Sequence, residues 1–420
     1  MGSFIIEGIG NLEGIVEIGG SKNSALPILA STVIVGKEYI IENIPDIEDV
    51  RMMLEILSSM GCKTQYENGI ALIDTTELNT YSVPENLVKK IRSSIILMGA
   101  VLCRTGNVEI AFPGGCEIGL RPIDLHLKGL RKLGVEIHEK NGILCGSVKE
   151  SLGCEIQLDY PSVGATENIM LFAVGASGKT IIYNAAKEPE IVDLQNFLNK
   201  CGFMVSGAGT GTIIIEGKKI EDNELIEYKI ISDRIEAGTY LSAAASMKSK
   251  IYIKNIEKEH FKSITSLYED AGCEIRETHG TVVVSSRGRL KALEKVTTQP
   301  YPGFPTDMQA QFMASMATAD GNTIIEETVF DSRYKHVPEL QKMGADITTI
   351  GRVAIINGVS RLHGAEVDSK DLRGGASLVI AAIGAEGTTK INNIYHINRG
   401  YEKFMEKLRN LGVIITTIVE

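Results

Sequence analysis

One segment of the chain gathers the residue types used in nucleophilic and proton-transfer chemistry: Phe112-Pro113-Gly114-Gly115-Cys116-Glu117-Ile118-Gly119-Leu120-Arg121-Pro122. Its three glycines and two prolines predict an exposed, hinged loop. An ordinary thiol titrates near 8.5, and a guanidinium such as Arg121 nearby lowers that value. Cys116 is therefore a candidate nucleophile or proton donor. An incidental surface cysteine is the plain alternative, and composition alone does not choose between them. The other six cysteines, Cys62, Cys103, Cys145, Cys154, Cys201 and Cys273, lie next to apolar strands or helix ends. The total is odd and no pair has CxxC spacing, which argues against a disulfide framework and a structural zinc site. A reducing cytoplasm is the expected compartment.

A second set of polar residues stands where strongly apolar stretches begin: Lys22-Asn23, Arg92, Ser162-Val163-Gly164, Asp233-Arg234, Thr306-Asp307 and Leu372-Arg373. Helix N-termini present unpaired N–H groups and a partial positive charge, so several converging starts attract anions. Lys22, Arg92 and Arg373 add formal charge. For any single residue a helix cap or a solvated loop charge is the simpler reading. Recurrence at matching positions favours a shared role in holding phosphate or carboxylate.

What positions these residues is a repeat. The sequences Met60-Gly61-Cys62, Leu133-Gly134-Val135, Cys201-Gly202-Phe203, Ala271-Gly272-Cys273, Met343-Gly344-Ala345 and Leu411-Gly412-Val413 recur with glycine spacings of 73, 68, 70, 72 and 68 residues. Glycine is expected there as the left-handed cap of a helix. Each unit also carries an all-apolar, small-residue helix that has no polar face and is expected to be buried. A short strand follows it, as in residues 36–43, 178–184 and 248–255. Closing strands such as Thr212 to Glu216, Thr281 to Val284 and Val353 to Ile356 end five units, but the sixth stops at Glu420. Phe4-Ile5-Ile6-Glu7-Gly8 resembles Ile213-Ile214-Ile215-Glu216-Gly217, so the N-terminal strand is expected to complete the sixth unit. Six units divide most simply as three plus three, giving one domain at 21–229 and another from 1–20 and 230–420. Gly207-Ala208-Gly209-Thr210-Gly211 resembles part of a dinucleotide fingerprint, but between two strand patterns it reads as a hairpin turn.

Composition narrows the function classes. The 420 residues are 44% hydrophobic and 23% charged, as in a soluble globular protein. Aromatic residues reach 5%, with no tryptophan, which argues against a base-stacking platform. The net charge of −10 argues against a nucleic-acid binder while leaving room for local basic pockets. The N-terminus lacks the basic and apolar regions of a signal peptide, and no apolar run reaches membrane-spanning length. The seven histidines show no metal-ligand spacing.

Taken together these motifs resemble the enolpyruvyl transferase family. The matching stretches run from Gly20-Ser21-Lys22-Asn23-Ser24-Ala25-Leu26-Pro27 to Tyr395-His396-Ile397-Asn398-Arg399-Gly400-Tyr401-Glu402. Between them lie the Cys116 loop, Arg121-Pro122-Ile123-Asp124-Leu125-His126, Ser162-Val163-Gly164-Ala165-Thr166 and Phe304-Pro305-Thr306-Asp307-Met308. The resemblance covers essentially the whole chain. It implies an α/β fold of two inside-out α/β barrel domains, each of three repeated units, with the active-site cleft between them and the Cys116 loop as its lid.

The resemblance further implies transfer of the enolpyruvyl group of phosphoenolpyruvate to the 3-hydroxyl of UDP-N-acetylglucosamine, with release of phosphate. The family route is addition followed by elimination through a tetrahedral intermediate. Cys116 matches the proton donor to the methylene carbon, and Asp307 the acceptor of the hydroxyl proton. Lys22, Arg92, Arg121, Arg373 and Arg399 match the basic set around phosphoenolpyruvate, with Lys22 and Arg399 also among the catalytic residues. Arg92, Arg121, Pro122, Ile123, Asp124 and Leu125 match the nucleotide contacts, and Ser162, Val163 and Gly164 the diphosphate loop. Asn23, Thr306, Asp307 and Val329 match the sugar contacts. No metal or organic cofactor is implied, and a monomer that binds neither nucleic acid nor membrane is expected. Tyr160, Ile96 and Asp331 depart from residues found in some members (Lys, Trp and Glu). The shikimate-3-phosphate branch shares donor and fold, but this chain lacks its Asn-Ala-Gly-Thr signature. A binding-only paralogue would have no need of both Cys116 and Asp307.

Overall fold

The computed structural model describes residues 2–114, 123–218, 224–278 and 280–419. The six repeat glycines, Gly61, Gly134, Gly202, Gly272, Gly344 and Gly412, all have φ between +91° and +104°, a region in which only glycine is unstrained. At each one the glycine N–H and the next N–H turn back onto the helix, as in Gly61 to the Ser58 carbonyl and Cys62 to the Leu57 carbonyl. This double bond pattern ends six outer helices in the same way. Those helices bury one face only; Glu48–Ser59, for example, buries Val50, Met53, Leu54, Ile56 and Leu57.

Inside them lie the apolar helices α1 (Lys22–Ser31), α2 (Leu97–Thr105), α3 (Val163–Ala173), α4 (Arg234–Ala245), α5 (Gln309–Met316) and α6 (Leu372–Ile383). Every residue of α4 and of α5 is buried. Full burial of a Leu or Ile side chain contributes about 1.5–3 kcal/mol, so these helices form each unit's core. The described residues cluster into two units, one from Gly20 to Ile231 and one combining 2–19 with 232–419. In the first unit α2 packs against α1 and α3; in the second, α4, α5 and α6 pack against one another.

Among the described residues each unit carries three sheets. Five of the six have four strands; the three-stranded one has an isolated bridge, Ser82 to Glu109, where its fourth strand would be. In each four-stranded sheet the strand after an inner helix pairs antiparallel on one side and parallel with a strand on its other side. The N-terminal strand Gly2–Glu7 lies between Thr388–Asn392 and Ile414–Val419, antiparallel to both, and so completes the sixth repeat. Gly207–Gly211 forms a hairpin turn between Met204–Ser206 and Thr212–Gly217.

The strand preceding α1, Asn11–Glu17, pairs parallel with Lys248–Lys254 of the second unit, and the strand preceding α4, Ile226–Lys229, pairs parallel with Glu38–Glu42 of the first. Each leading strand thus belongs to the unit whose sheet it joins, and the helix that follows it belongs to the other. Asparagines at φ between +53° and +61° mark the matching turns. Asn43 Nδ2 donates to the Ile230 carbonyl, Asn184 to Leu158 and Asn255 to Ile18, at 3.1, 2.9 and 2.7 Å. Each fastens the segment from which an inner helix starts. Among the described residues no helix is long and apolar enough to cross a membrane.

The inner helices are not purely apolar. Glu167 in α3 is buried, and that burial, reinforced by the charges of Glu190 and Glu188, raises its pKa well above the ordinary carboxyl value. A carboxyl whose folded pKa lies above its unfolded one contributes its full stability below about pH 4 and loses it as pH rises toward the folded value. Glu167→Gln removes that loss. The variant's thermal midpoint is expected to gain on the wild type steadily between about pH 5 and about pH 8. A difference that stays constant over that range would show that Glu167 does not titrate this way.

Candidate active site

In the second unit the starts of all three inner helices meet. Asp233 caps α4, its Oδ1 accepting the N–H groups of Ile235 and Glu236 at 2.8 and 2.9 Å. Asp371 caps α6 in the same way, accepting from Arg373 and Gly374 at 3.1 and 2.9 Å. Such caps are worth about 1 kcal/mol each and fix where the next side chain points. Asp307 lies in a short 3-10 turn, Thr306–Met308, that leads into α5. Arg333 Nη2 donates to its Oδ1 at 2.8 Å, and Arg373 Nη2 to its Oδ2 at 3.0 Å.

The two guanidinium groups are 4% and 3% exposed and the carboxylate 27%, so the acid faces outward from a buried cationic cradle. Burial opposes the charge on Arg373. The Tyr401 hydroxyl and the charges of Asp307 and Asp233 outweigh that and hold its pKa above the ordinary arginine value, and the Tyr401 ring lies 5.3 Å from the guanidinium. Gln311 Nε2 donates to the Asp307 carbonyl at 2.9 Å and reaches Tyr401 Oη at 3.3 Å. Glu327 joins two further expected residues: its Oε2 accepts from Thr306 Oγ1 at 2.9 Å and its Oε1 from Val329 N–H at 2.8 Å. Arg399 caps the short helix Tyr395–Asn398 and is half-buried.

In the first unit Lys22 opens α1 and its Nζ lies 2.6 Å from Asp49 Oδ2. Asn23 follows, half-buried. Ser24 donates to Asp193, a buried carboxylate that also receives the Tyr228 hydroxyl and, at 3.2 Å, the Ile231 N–H. Arg92 begins the 3-10 turn that leads into α2, and its Nη1 donates to the Pro113 carbonyl at 3.2 Å, on the approach to the Cys116 loop. Ser162 caps α3, its hydroxyl accepting from Ala165 N–H at 3.3 Å, with Val163 and Gly164 in the first turn. Ile123 is buried, Leu125 half-buried and Asp124 exposed at the start of the helix Asp124–Lys132. Cys116, Arg121 and Pro122 lie outside the described residues.

Sequence reasoning placed the six helix starts correctly. It did not find Arg333, Glu327, Asp371, Gln311 or Asp49, the residues that hold the expected ones in place. Asp371 carried a usable signal, an acidic residue immediately before an apolar run; the others become partners only through tertiary contact. Asp331 sits two residues from Arg333, yet its carboxylate pairs with Arg352, leaving Arg333 to Asp307. Of the other two departures, Ile96 is buried beside Arg92's turn and Tyr160 is exposed. Among the described residues no group of His, Cys, Asp and Glu has the arrangement of a metal site.

A family model described as EPSP synthase (3-phosphoshikimate 1-carboxyvinyltransferase) matches residues 6–408. A UDP-N-acetylglucosamine 1-carboxyvinyltransferase 2 of Caldanaerobacter subterraneus subsp. tengcongensis is 50% identical over 421 residues, covering 100% of this chain and 100% of the relative. A UDP-N-acetylglucosamine 1-carboxyvinyltransferase of Thermotoga maritima is 45% identical over 417 residues, 99% of this chain and 98% of its own length. Among solved structures, the enolpyruvyl transferase NikO from Streptomyces tendae matches with a TM-score of 0.90 at 23% identity, covering 100% of this chain and 99% of that one. EPSP synthase from Acinetobacter baumannii matches with a TM-score of 0.75 at 17% identity over both full chains. The two structures establish the expected inside-out α/β fold. With relatives of 44–50% identity along its whole length, the chain belongs to the enolpyruvyl transferase family, among the UDP-N-acetylglucosamine 1-carboxyvinyltransferases.

Proposed function

We propose that the protein transfers the enolpyruvyl group of phosphoenolpyruvate to the 3-hydroxyl of UDP-N-acetylglucosamine and releases phosphate, in the cytoplasmic synthesis of peptidoglycan precursor. The observation that carries this reading is the near-half identity, end to end, to enzymes bearing that activity in their names. In the addition step Cys116 gives a proton to the methylene carbon, the sugar oxygen bonds to the neighbouring carbon, and Asp307 takes the hydroxyl proton. In the elimination step the carbon–oxygen bond to phosphate breaks, a methyl proton leaves, and the enolpyruvyl double bond re-forms.

The donor carries about three negative charges, so several cations are needed around it. Lys22, Arg92, Arg121, Arg373 and Arg399 supply them, arginine gripping phosphate or carboxylate in two parallel bonds and lysine acting as a point charge. The Asp307 cradle supports this division of work. Its two arginines balance the carboxylate's charge and fix both oxygens, so a proton acceptor stands in one place. Pro122, Ile123, Asp124 and Leu125 serve the uracil end, Ser162, Val163 and Gly164 the diphosphate, and Asn23, Thr306 and Val329 the sugar.

The test is phosphate release from phosphoenolpyruvate in the presence of UDP-N-acetylglucosamine and, separately, of shikimate 3-phosphate. Release with the nucleotide sugar alone is the expected result. Release only with shikimate 3-phosphate would move the chain to the other branch of the family. No release with either would leave a nucleotide-sugar-binding protein without turnover.

A further inference from the structure

Three features meet at the start of α3. The Ser162 hydroxyl serves Ala165, while the N–H groups of Val163 and Gly164 find no acceptor among the described residues. The His126 ring packs edge-on against Gly164: a Cβ there would lie 3.0 Å from Cε1 and 3.2 Å from Nε2. Glycine at 164 is thus what lets the imidazole reach the mouth of the helix. Arg92 contributes positive charge close enough to act on the same ring.

His126 is 7% exposed, and its proton can be located from its neighbours. Its Nδ1 lies 2.9 Å from Nδ2 of Asn168, a fully buried residue one turn further along α3. The amide orientation of Asn168 is set by its other contacts. Nδ2 donates to the Ile95 carbonyl at 2.8 Å, and Oδ1 accepts the Gly99 N–H at 2.6 Å. An amide nitrogen only donates, so Nδ1 of His126 must accept and the ring proton must sit on Nε2. Among the described residues nothing accepts a hydrogen bond from Nε2. Burial, with the charge of Arg92 adding, pushes the His126 pKa down to about 4, so the ring is neutral at neutral pH.

We propose that Asn168 locks His126 in its Nε2–H tautomer, and that this N–H joins the amides of Val163 and Gly164 in a three-donor site for a phosphate-bearing ligand. His126 is then a binding residue and Asn168 a positioning residue that never touches the ligand. A neutral donor suits this place. It adds a hydrogen bond to an anion without the desolvation penalty of burying a second cation beside Arg92. Asn168 also fastens the Arg92 turn, through Ile95, to α3, so one amide aligns both sides of the site. The identity of the ligand, the diphosphate of UDP-N-acetylglucosamine, rests on the proposed function; the tautomer does not.

Two measurements on the full-length protein test this. Nitrogen-15 NMR of the imidazole should report the Nε2–H tautomer in the wild type and Nδ1–H in Asn168→Asp, whose carboxylate can only accept. Calorimetric titration with UDP and with uridine should show His126→Phe weakening UDP about ten- to a hundredfold, the range of one hydrogen bond to a charged group. Uridine, which lacks the diphosphate, should be unaffected, and His126→Gln, which keeps a donor, should recover part of the loss. An Nδ1–H wild type would overturn the proposal. So would a well-folded His126→Phe that binds UDP as tightly as the wild type does. Wild-type protein that binds neither UDP nor UDP-N-acetylglucosamine would instead overturn the functional reading, with the tautomer result standing by itself.

Discussion

Asp307→Asn is expected to slow phosphate release by about 10²–10⁴-fold, the usual contribution of a general base, while nucleotide binding changes little. The expectation follows from the cradle. Both carboxylate oxygens are engaged, one by Arg333 at 2.8 Å and one by Arg373 at 3.0 Å. An asparagine keeps one acceptor oxygen and turns an NH₂ toward the other guanidinium, so it loses the proton acceptor and also one of the two bonds that aim it. Two buried arginines then share half the partner they had, and a lower thermal midpoint is expected. The binding titration separates the two effects. If the rate falls because the fold is lost, UDP-N-acetylglucosamine affinity must fall with it. If the rate falls because the base is gone, affinity holds. Unchanged turnover would remove Asp307 from the mechanism altogether.

The parts of this arrangement that sequence revealed are those dictated locally. A glycine at each helix end is readable because no other residue adopts φ near +95° without strain, and the six caps are indeed formed alike. Apolar runs with small residues are readable as buried helices because they have no face to give to water. The match of Phe4–Gly8 to Ile213–Gly217 foretold the pairing of the N-terminal strand, since the same alternation serves the same place in the sheet. Even the helix starts are legible: Asp307 and Arg373 stand at two of them, and the fold brings their charged ends to 3.0 Å.

What was not legible depends on residues brought together from far along the chain. Arg333 looks like one more surface cation near Asp331 until tertiary packing turns it to Asp307 and leaves Asp331 to Arg352. Glu327 directly follows a strand, Asn322–Glu326, and gives no sign that it will hold Thr306 and Val329 at once. Asn168 and Glu167 sit inside a helix whose sequence reads as core, and only the neighbours Ile95, Gly99 and His126 show why a polar side chain is tolerated there.

Fosfomycin, a small epoxide mimic of the donor, is expected to alkylate Cys116 and no other cysteine. The sequence supplies half of the argument, a glycine-rich loop with Arg121 five residues on. The structure supplies the other half by disqualifying competitors. Burial pushes Cys201 and Cys273 up to about 12 and Cys62 to about 11, the last helped by the charge of Asp74. Cys103 is likewise raised to about 12, its sulfur wedged so close to Gly175 that a Cβ there would lie 2.6 Å away. Burial also raises Cys154, and Cys145 is half-buried within the strand Ile143–Ser147. Each unit of pKa above the ambient pH removes about nine-tenths of the remaining thiolate, the form that attacks an epoxide carbon. A thiol near 12 therefore presents about a three-thousandth of the thiolate of an ordinary one near 8.5, before access is considered. In the reaction the sulfur–carbon bond forms as the ring carbon–oxygen bond breaks, and the released alkoxide takes up a proton. Intact-mass measurement should show one adduct, peptide mapping should place it at Cys116, and Cys116→Ser should remove it. An adduct mapped to Cys145 or to any other cysteine, or one that survives Cys116→Ser, would deprive Cys116 of the acid's role in the proposed mechanism.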